Sequence, residues 1–371
     1  MVEWKKLEDL LDFEQPTSYL VKSTEYDDSY DVPVLTAGQS LLLGYTNETE
    51  GIYKANKDNP TIIFDDFTTS FHWIDYNFKV KSSAMKMLRP KSGVNFRFIY
   101  YSMKCIDFIP GGHQRHWISK YSQFEIPIPS LFEQNRIVGI LDTFTASIEN
   151  LKQQIAERRK QYEHYRDQLL DLEGKEGVEM KTLGEVCEIK GRIGFRGYTR
   201  EDQVGRGEGA ISLSPGNIIN GIIDYNSCTY LTWEKYEESP EIMTLDGDII
   251  LCKTASVGKV AMVMNLPEKA TINPQLVVLK NIKIANKYLY YLLSTFKIQA
   301  ILKGLAGIGS VPNISQAKLA NIKICIPHLS EQQRIVSILD TFEASIQNLE
   351  AQLKEREKQY EYYRNKLLTF E

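Results

Sequence analysis

From Ser130 to Glu173 the chain reads SLFEQNRIVGILDTFTASIENLKQQIAERRKQYEHYRDQLLDLE, and it closes on nearly the same words, HLSEQQRIVSILDTFEASIQNLEAQLKEREKQYEYYRNKLLTFE. Aligning Glu133 with Glu331 sets an offset of 198 residues, and about two-thirds of the following positions match without a gap, so this is an internal repeat. Apolar residues step by four and three through Ile137, Leu141, Phe144, Ile148, Leu151 and Ile155. The second copy keeps that register through Ile335, Leu339, Phe342, Ile346, Leu349 and Leu353. Such a heptad seam predicts two helices, each with one narrow apolar stripe that needs a partner helix. The natural partner of each is the other copy. At 1.5 Å per residue each helix is expected to be roughly 60 Å long.

Ahead of each helix lies a fainter repeat. The opening MVEWKKLEDL returns after the first helix as GVEMKTLGEVCEIK, pairing Trp4 with Met180, Leu7 with Leu183 and Leu10 with Val186. Ile126, Ile128 and Pro129 correspond to Ile324, Ile326 and Pro327, so a short strand ending in proline delivers the chain to each helix. The order is module, helix, module, helix, with residues 1–129, 130–173, 178–328 and 329–371 as the parts and the polar, glycine-flanked 174–177 as a linker. Within the modules, short apolar runs such as NPTIIFDDFTT and QLVVLK alternate with turns and read as strands. Asn220-Gly221 and Asp246-Gly247 read as hairpin turns, Asn95 to Met103 as a short helix or a strand, and Lys287 to Leu302 as one helix. The expected fold class is α+β: two similar mixed modules joined by two long antiparallel coiled-coil helices in a pseudo-two-fold repeat.

A chain of 371 residues with 43% hydrophobic and 25% charged residues has the composition of a globular protein. Its net charge of −4 argues against a generic polycation. Charge is nonetheless segregated, because basic residues dominate between 76 and 130 while the preceding stretch is acid-rich. The five cysteines form no CxxC pair, no stretch has the order of a signal peptide, and no apolar run reaches a membrane span, so a reduced cytoplasmic protein with no membrane partner is expected. Motifs of self-contained catalysis are missing: there is no GxxxxGK[ST], no HExxH and no GxGxxG in a strand-helix context. His113 and His116 read as polar loop residues rather than metal ligands. Glu179/Lys181 and Glu188/Lys190 read as chance matches to a nuclease fragment, and Gly304, Gly307 and Gly309 as a flexible turn. A better constellation lies in KGRIGFRGYTR, where Lys190, Arg192, Arg196 and Arg200 interleave with Phe195 and Tyr198, a pattern suited to phosphates and base edges.

Two divergent modules, each followed by a near-identical helix carrying EQxRIVxxLDTF, resemble the specificity subunit of a Type I restriction-modification system. The resemblance spans essentially the whole chain. It rests on Glu133, Gln134, Arg136, Ile137 and Leu141 in one copy and Glu331, Gln332, Arg334, Ile335 and Leu339 in the other, with GSVPNIS and DGDIILCKTASVGK in the second module and DDFTTSFHWIDYNFKV in the first. It implies a non-catalytic protein whose two target-recognition domains each read half of a split, asymmetric DNA site. The helices are then a spacer on which two methyltransferase subunits dock, and restriction and translocation subunits join through them. No cofactor is expected on this chain; S-adenosylmethionine, ATP and Mg belong to the partners. The DNA-facing residues expected are Thr69, Arg89, Lys91, Gln114 and Arg115 in the first module and Arg192, Arg196, Lys253, Lys259, Ser310 and Asn313 in the second. Glu133, Gln134, Arg136, Glu331, Gln332 and Arg334 are expected to bind partner subunits. A coiled-coil nuclease or a self-contained DNA-modifying enzyme is the competing reading.

Overall fold

The computed structural model describes residues 2–36, 41–111, 114–192, 194, 197–307 and 311–370. The chain divides into two compact units, Met1–Lys152 with Ala351–Glu371, and Gln153–Glu350.

In the first unit a four-stranded antiparallel sheet takes the order Leu11–Glu14, Met85–Pro90, Thr61–Asp65, Phe71–Ile74. Thr61–Asp65 is buried throughout. A second sheet holds Leu42–Thr46, Val32–Leu35 and Lys79–Val80. The Asn95–Met103 stretch resolves as the helix Phe96–Met103, because the Asn95 side chain caps it by accepting from the Phe98 N–H at 3.1 Å.

The second unit holds two four-stranded sheets. One runs Glu188–Lys190, Leu276–Lys280, Ile249–Cys252, Val260–Met262, all antiparallel. The other runs Gln203–Val204, Thr229–Thr232, Gly209–Leu213, Ala270–Ile272, with the last pair parallel. Asn220-Gly221 forms the hairpin turn between Ile218–Ile219 and Ile222–Ile223, both turn residues having positive φ. Asp246-Gly247 does not turn a hairpin; it precedes the strand Ile249–Cys252, and Gly247 donates its N–H to the Val263 carbonyl. The expected single helix from Lys287 to Leu302 is two, Asn286–Leu293 and Phe296–Leu305. The hydroxyl of Thr295 caps the second by accepting from Ile298, which breaks the run.

Both units are framed alike. Glu3–Lys6 pairs antiparallel with Glu125–Ile128 in the register Glu3 to Ile128, and Glu179–Thr182 pairs with Lys323–Ile326 in the register Glu179 to Ile326. The faint repeat is therefore one strand pair built twice. A single helical turn follows in each, Leu7–Leu10 and Leu183–Val186, burying its leucines or valine. The strand pairs lead to the long helices Leu131–Leu170 and Leu329–Leu368. In the first unit the core gathers Leu7, Leu10, Ile126, Ile137, Leu141 and Leu368; in the second it gathers Leu183, Val186, Ile324, Ile335, Leu339 and Leu170.

Within each unit the two long helices touch in opposite chain order. In the first unit Phe144 stacks on Tyr363 and Lys152 pairs with Glu357 at 3.1 Å. In the second, Tyr165 stacks on Phe342 and Arg159 pairs with Glu350 at 2.5 Å. Arg158 and Arg356 interrupt the apolar stripe at equivalent places, and each lays its guanidinium over the phenylalanine of the opposite helix, Phe342 and Phe144.

Candidate nucleic-acid interface

In the second unit two loops close on each other through a short ladder. The Lys253 N–H donates to the Gln275 carbonyl at 2.9 Å, the Ile314 N–H donates to the Lys253 carbonyl at 2.9 Å, and the Ala255 N–H donates to the Pro312 carbonyl at 2.9 Å. The Thr254 hydroxyl donates to the side-chain oxygen of Asn313 at 2.7 Å. Ala255 turns the corner with φ +62°. Gln275 joins from a third loop, its backbone N–H donating to the Asn273 side chain at 3.0 Å. Lys253, Thr254, Gln275 and the exposed Asn313 thus converge, and they combine a cation, a hydroxyl and two amides, groups that can meet phosphates and base edges.

Two other expected residues spend their cations on this unit's own groups, Arg192 from a buried position and Lys259 from an exposed one. Arg192 is 6% exposed, donates to the Ile272 carbonyl and the Thr271 hydroxyl, and lies under the Tyr198 ring. Burial lowers its pKa from the ordinary arginine value, and its guanidinium binds this unit's own sheet edge rather than solvent. Lys259 donates its ammonium to the carbonyls of Pro215 at 2.9 Å and Ile218 at 3.3 Å, closing the base of the hairpin. His113, Phe195, Arg196, Gly309 and Ser310 lie outside the described residues.

In the first unit Asp66 organises the surface. Its carboxylate accepts the Trp117 N–H at 2.7 Å and holds Lys86 at 3.1 Å, both side chains of that pair being 1% exposed, while its carbonyl accepts the His116 N–H at 2.8 Å. A buried ion pair with further hydrogen bonds of this kind fixes geometry. It ties the turn Asp65–Ser70 to the loop carrying exposed Gln114 and Arg115. Thr69 is the left-handed corner of that turn, at φ +57° and 9% exposed. Its side chain points in, and the outward hydroxyls are those of Thr68 and Ser70, 2.8 Å apart. Arg89 and Lys91 sit toward the other end of the strand Met85–Pro90, whose Met85 pairs with Asp65. Arg89 donates to the Tyr53 hydroxyl at 2.7 Å, a bond that raises its pKa, and it faces Glu14; Lys91 donates to the Glu8 carbonyl at 2.7 Å. They do not join the Gln114–Arg115 patch.

The EQxR motif splits into two roles. Arg136 forks onto Glu133 through two bonds of 2.8 and 2.6 Å, Arg334 forks onto Glu331 through two of 2.7 Å, and each arginine holds its glutamate below the ordinary carboxyl pKa. These forks face solvent. Gln134 and Gln332, expected at a partner surface, are 1% and 4% exposed and engage their own modules. Gln134 donates to the Pro129 carbonyl at 2.8 Å and accepts the Asn95 N–H at 2.9 Å; Gln332 donates to Pro327 at 2.9 Å and accepts Ala285 at 3.0 Å.

No helix among the described residues is long and apolar enough to cross a membrane. The family model described as Type I restriction modification DNA specificity domain matches residues 1–158 and 175–357, and the chain belongs to that family. Among curated relatives, it is 40% identical over 389 residues to the Type I restriction enzyme EcoR124I/EcoR124II specificity subunit of Escherichia coli, covering 100% of this chain and 94% of that one. It is 25% identical over 317 residues to the Type I restriction enzyme MjaVIII specificity subunit of Methanocaldococcus jannaschii, covering 78% of this chain and 73% of the relative. Its fold is similar to that of the crystal structure of the S subunit of a Type I restriction-modification system from M. genitalium, with a TM-score of 0.61 at 18% identity over 100% of this chain and 97% of that one.

Proposed function

We propose that this chain is the DNA sequence-specificity subunit of a Type I restriction-modification complex, a non-catalytic reader of a bipartite, asymmetric site. Residues 1–129 read one half and residues 178–328 the other. The helices within 130–173 and 329–371 pack as an antiparallel coiled coil, set the spacer, and dock two methyltransferase subunits through the Glu133–Arg136 and Glu331–Arg334 forks. The methyltransferases bring S-adenosylmethionine, and restriction and translocation subunits, joined through them, bring ATP and Mg chemistry. One observation carries this reading: two modules are framed by the same strand pair and helix, in the same register, yet carry divergent sequences between those framing strands. A repeated frame offers two equivalent docking faces, and unlike loops offer two different reading faces. In the second unit Lys253, Thr254, Gln275 and Asn313 meet the bases and phosphates; in the first, Gln114, Arg115, Thr68 and Ser70 do so. The competing reading, an enzyme complete in itself, requires a nucleotide, metal or methyl-donor motif that the sequence does not supply.

The test is to reconstitute the chain with its methyltransferase and methyl donor, and to map methylated adenines on genomic DNA. The expected result is one split motif with two unlike halves and a fixed spacer. A continuous or palindromic motif, or methylation without sequence preference, would overturn it.

A further inference from the structure

The two modules grip their helices through the same set of contacts although they have diverged around them. In the first unit Arg97 and Tyr101, one turn apart on Phe96–Met103, both reach Asp142: the Arg97 Nε donates to its Oδ1 at 2.8 Å and the Tyr101 hydroxyl to the same oxygen at 2.5 Å. In the second, Lys287 and Tyr291 on Asn286–Leu293 reach Asp340, the Lys287 Nζ donating to Oδ2 at 2.7 Å and the Tyr291 hydroxyl to Oδ1 at 2.6 Å. Asp142 lies eight residues past Gln134, and Asp340 eight past Gln332. Each module is therefore pinned at two points of one helix stripe, about 12 Å apart at 1.5 Å per residue.

Adhesion does not explain these contacts. Fully buried Ile137, Leu141, Ile335 and Leu339 already hold each module to its helix, and apolar burial is non-directional. Hydrogen bonds at two separated points are directional, and together they fix pitch and slide. Tyr101 and Tyr291 are themselves 1% and 0% exposed, so their hydroxyls are aimed by packing before they meet the carboxylate.

We propose that Gln134–Asn95 with Asp142–Arg97–Tyr101, and Gln332–Ala285 with Asp340–Lys287–Tyr291, are orientation joints. Their members are positioning residues that set the angle at which each reading module leaves its helix, and through it the number of base pairs between the half-sites. The inference rests on the proposed DNA-reading role. A slack of about 10° acting over a domain radius of about 15 Å moves the reading loops about 2.6 Å, most of one base-pair step of about 3.4 Å. Loosening a joint therefore blurs the spacer and leaves the bases read unchanged.

The experiment uses the full chain with its methyltransferase and a DNA library in which both half-sites are fixed and the spacer varies. Tyr101→Phe keeps the buried ring and removes the hydroxyl's bonds to Asp142 and Thr145; Asp142→Asn and Asp340→Asn remove a charge at each joint. Ile62→Val, in the sheet core of the first unit, is the control for lost stability. The expected result is that the advantage of the preferred spacer over spacers one base pair longer or shorter falls about three- to ten-fold in each joint variant. It falls further when both joints are altered, stays unchanged in the control, and the half-sites remain those of the parent. Joint variants that discriminate between spacers as sharply as the parent, while melting lower like the control, would overturn the inference and leave the contacts structural. A parent that selects no split site would instead sink the DNA-reading role, and the joints with it.

Discussion

Replacing Gln134 by leucine separates the buried glutamine from the solvent-facing fork within one EQxR motif. The leucine fills a similar volume at a site 1% exposed, but it deletes the bond to the Pro129 carbonyl and the bond from the Asn95 N–H. Both orphaned groups are backbone groups beside a packed core, and each buried group without a partner costs about 1–3 kcal/mol, so two give about 2–5 kcal/mol after a small gain from apolar burial. The loss is expected in the first unit, where Asn95 also caps Phe96–Met103, so amide exchange should quicken first along that helix. Gln332→Leu should reproduce the effect around Asn286–Leu293. Arg136→Ala, by contrast, removes an exposed fork and should leave melting and exchange unchanged while weakening capture of the methyltransferase. The assays are urea unfolding, amide exchange resolved by peptide, and native mass spectrometry of the complex. If Gln134→Leu costs under about 0.5 kcal/mol, or if Arg136→Ala destabilises the unit as much as Gln134→Leu does, the division of the motif is wrong.

Further outcomes follow from other parts of the structure. Glu343 stands where the first copy has Thr145, and burial raises its carboxyl pKa above the ordinary 4.5, although Tyr162 donates to it at 3.1 Å. A carboxyl raised in the folded state contributes most below its unfolded pKa and loses that contribution as pH rises through the folded value. Glu343→Gln should therefore raise Tm at pH 7.5, with the gain shrinking as pH falls toward 4.5; a gain that grows on acidification would contradict this. Asn313→Ala removes the exposed acceptor of the Thr254 hydroxyl and should cost about 1–3 kcal/mol of site affinity and relax one position of the second half-site, leaving the first half-site as it was. One heptad added after Leu151 and one after Leu349 keeps both seams in phase and lengthens the helix pair by about 10 Å, or about three base pairs. Selection from a variable-spacer library should then favour a longer spacer with some loss of affinity; an unchanged spacer at full affinity would make the helices a docking platform alone.

What the sequence made legible was what repeats in recognisable words. Ile137, Leu141, Ile335 and Leu339 could be placed on two helices because period and identity survive at an offset of 198, although they join the cores of their own modules, and the strands at Trp4/Met180 and Ile126/Ile324 could be matched from the words around them, at offsets of 176 and 198. The joints escaped because Asp142 and Asp340 keep the offset of 198, whereas Arg97 and Tyr101 match Lys287 and Tyr291 at an offset of 190. Insertions between the modules and the helices hide that correspondence until the chain is folded. Among the loop residues, polarity suggested solvent where the folded chain supplies partners of its own. Lys259 reaches two carbonyls of a turn more than forty residues away, Arg192 covers a sheet edge, and Thr69 is turned in by a left-handed backbone. Thr254 and Gln275 carry no signal in the sequence for the converse reason: neither is charged or aromatic, and only the crossing of three loops brings them beside Lys253 and Asn313.

Whether two independent readers sit on one repeated frame is decided by exchanging residues 178–328 for the matching module of a relative and mapping the methylated sites of the chimera with its methyltransferase. One half-site should be replaced while the other half-site keeps its sequence. A chimera in which both halves change, or in which neither does, would contradict the account.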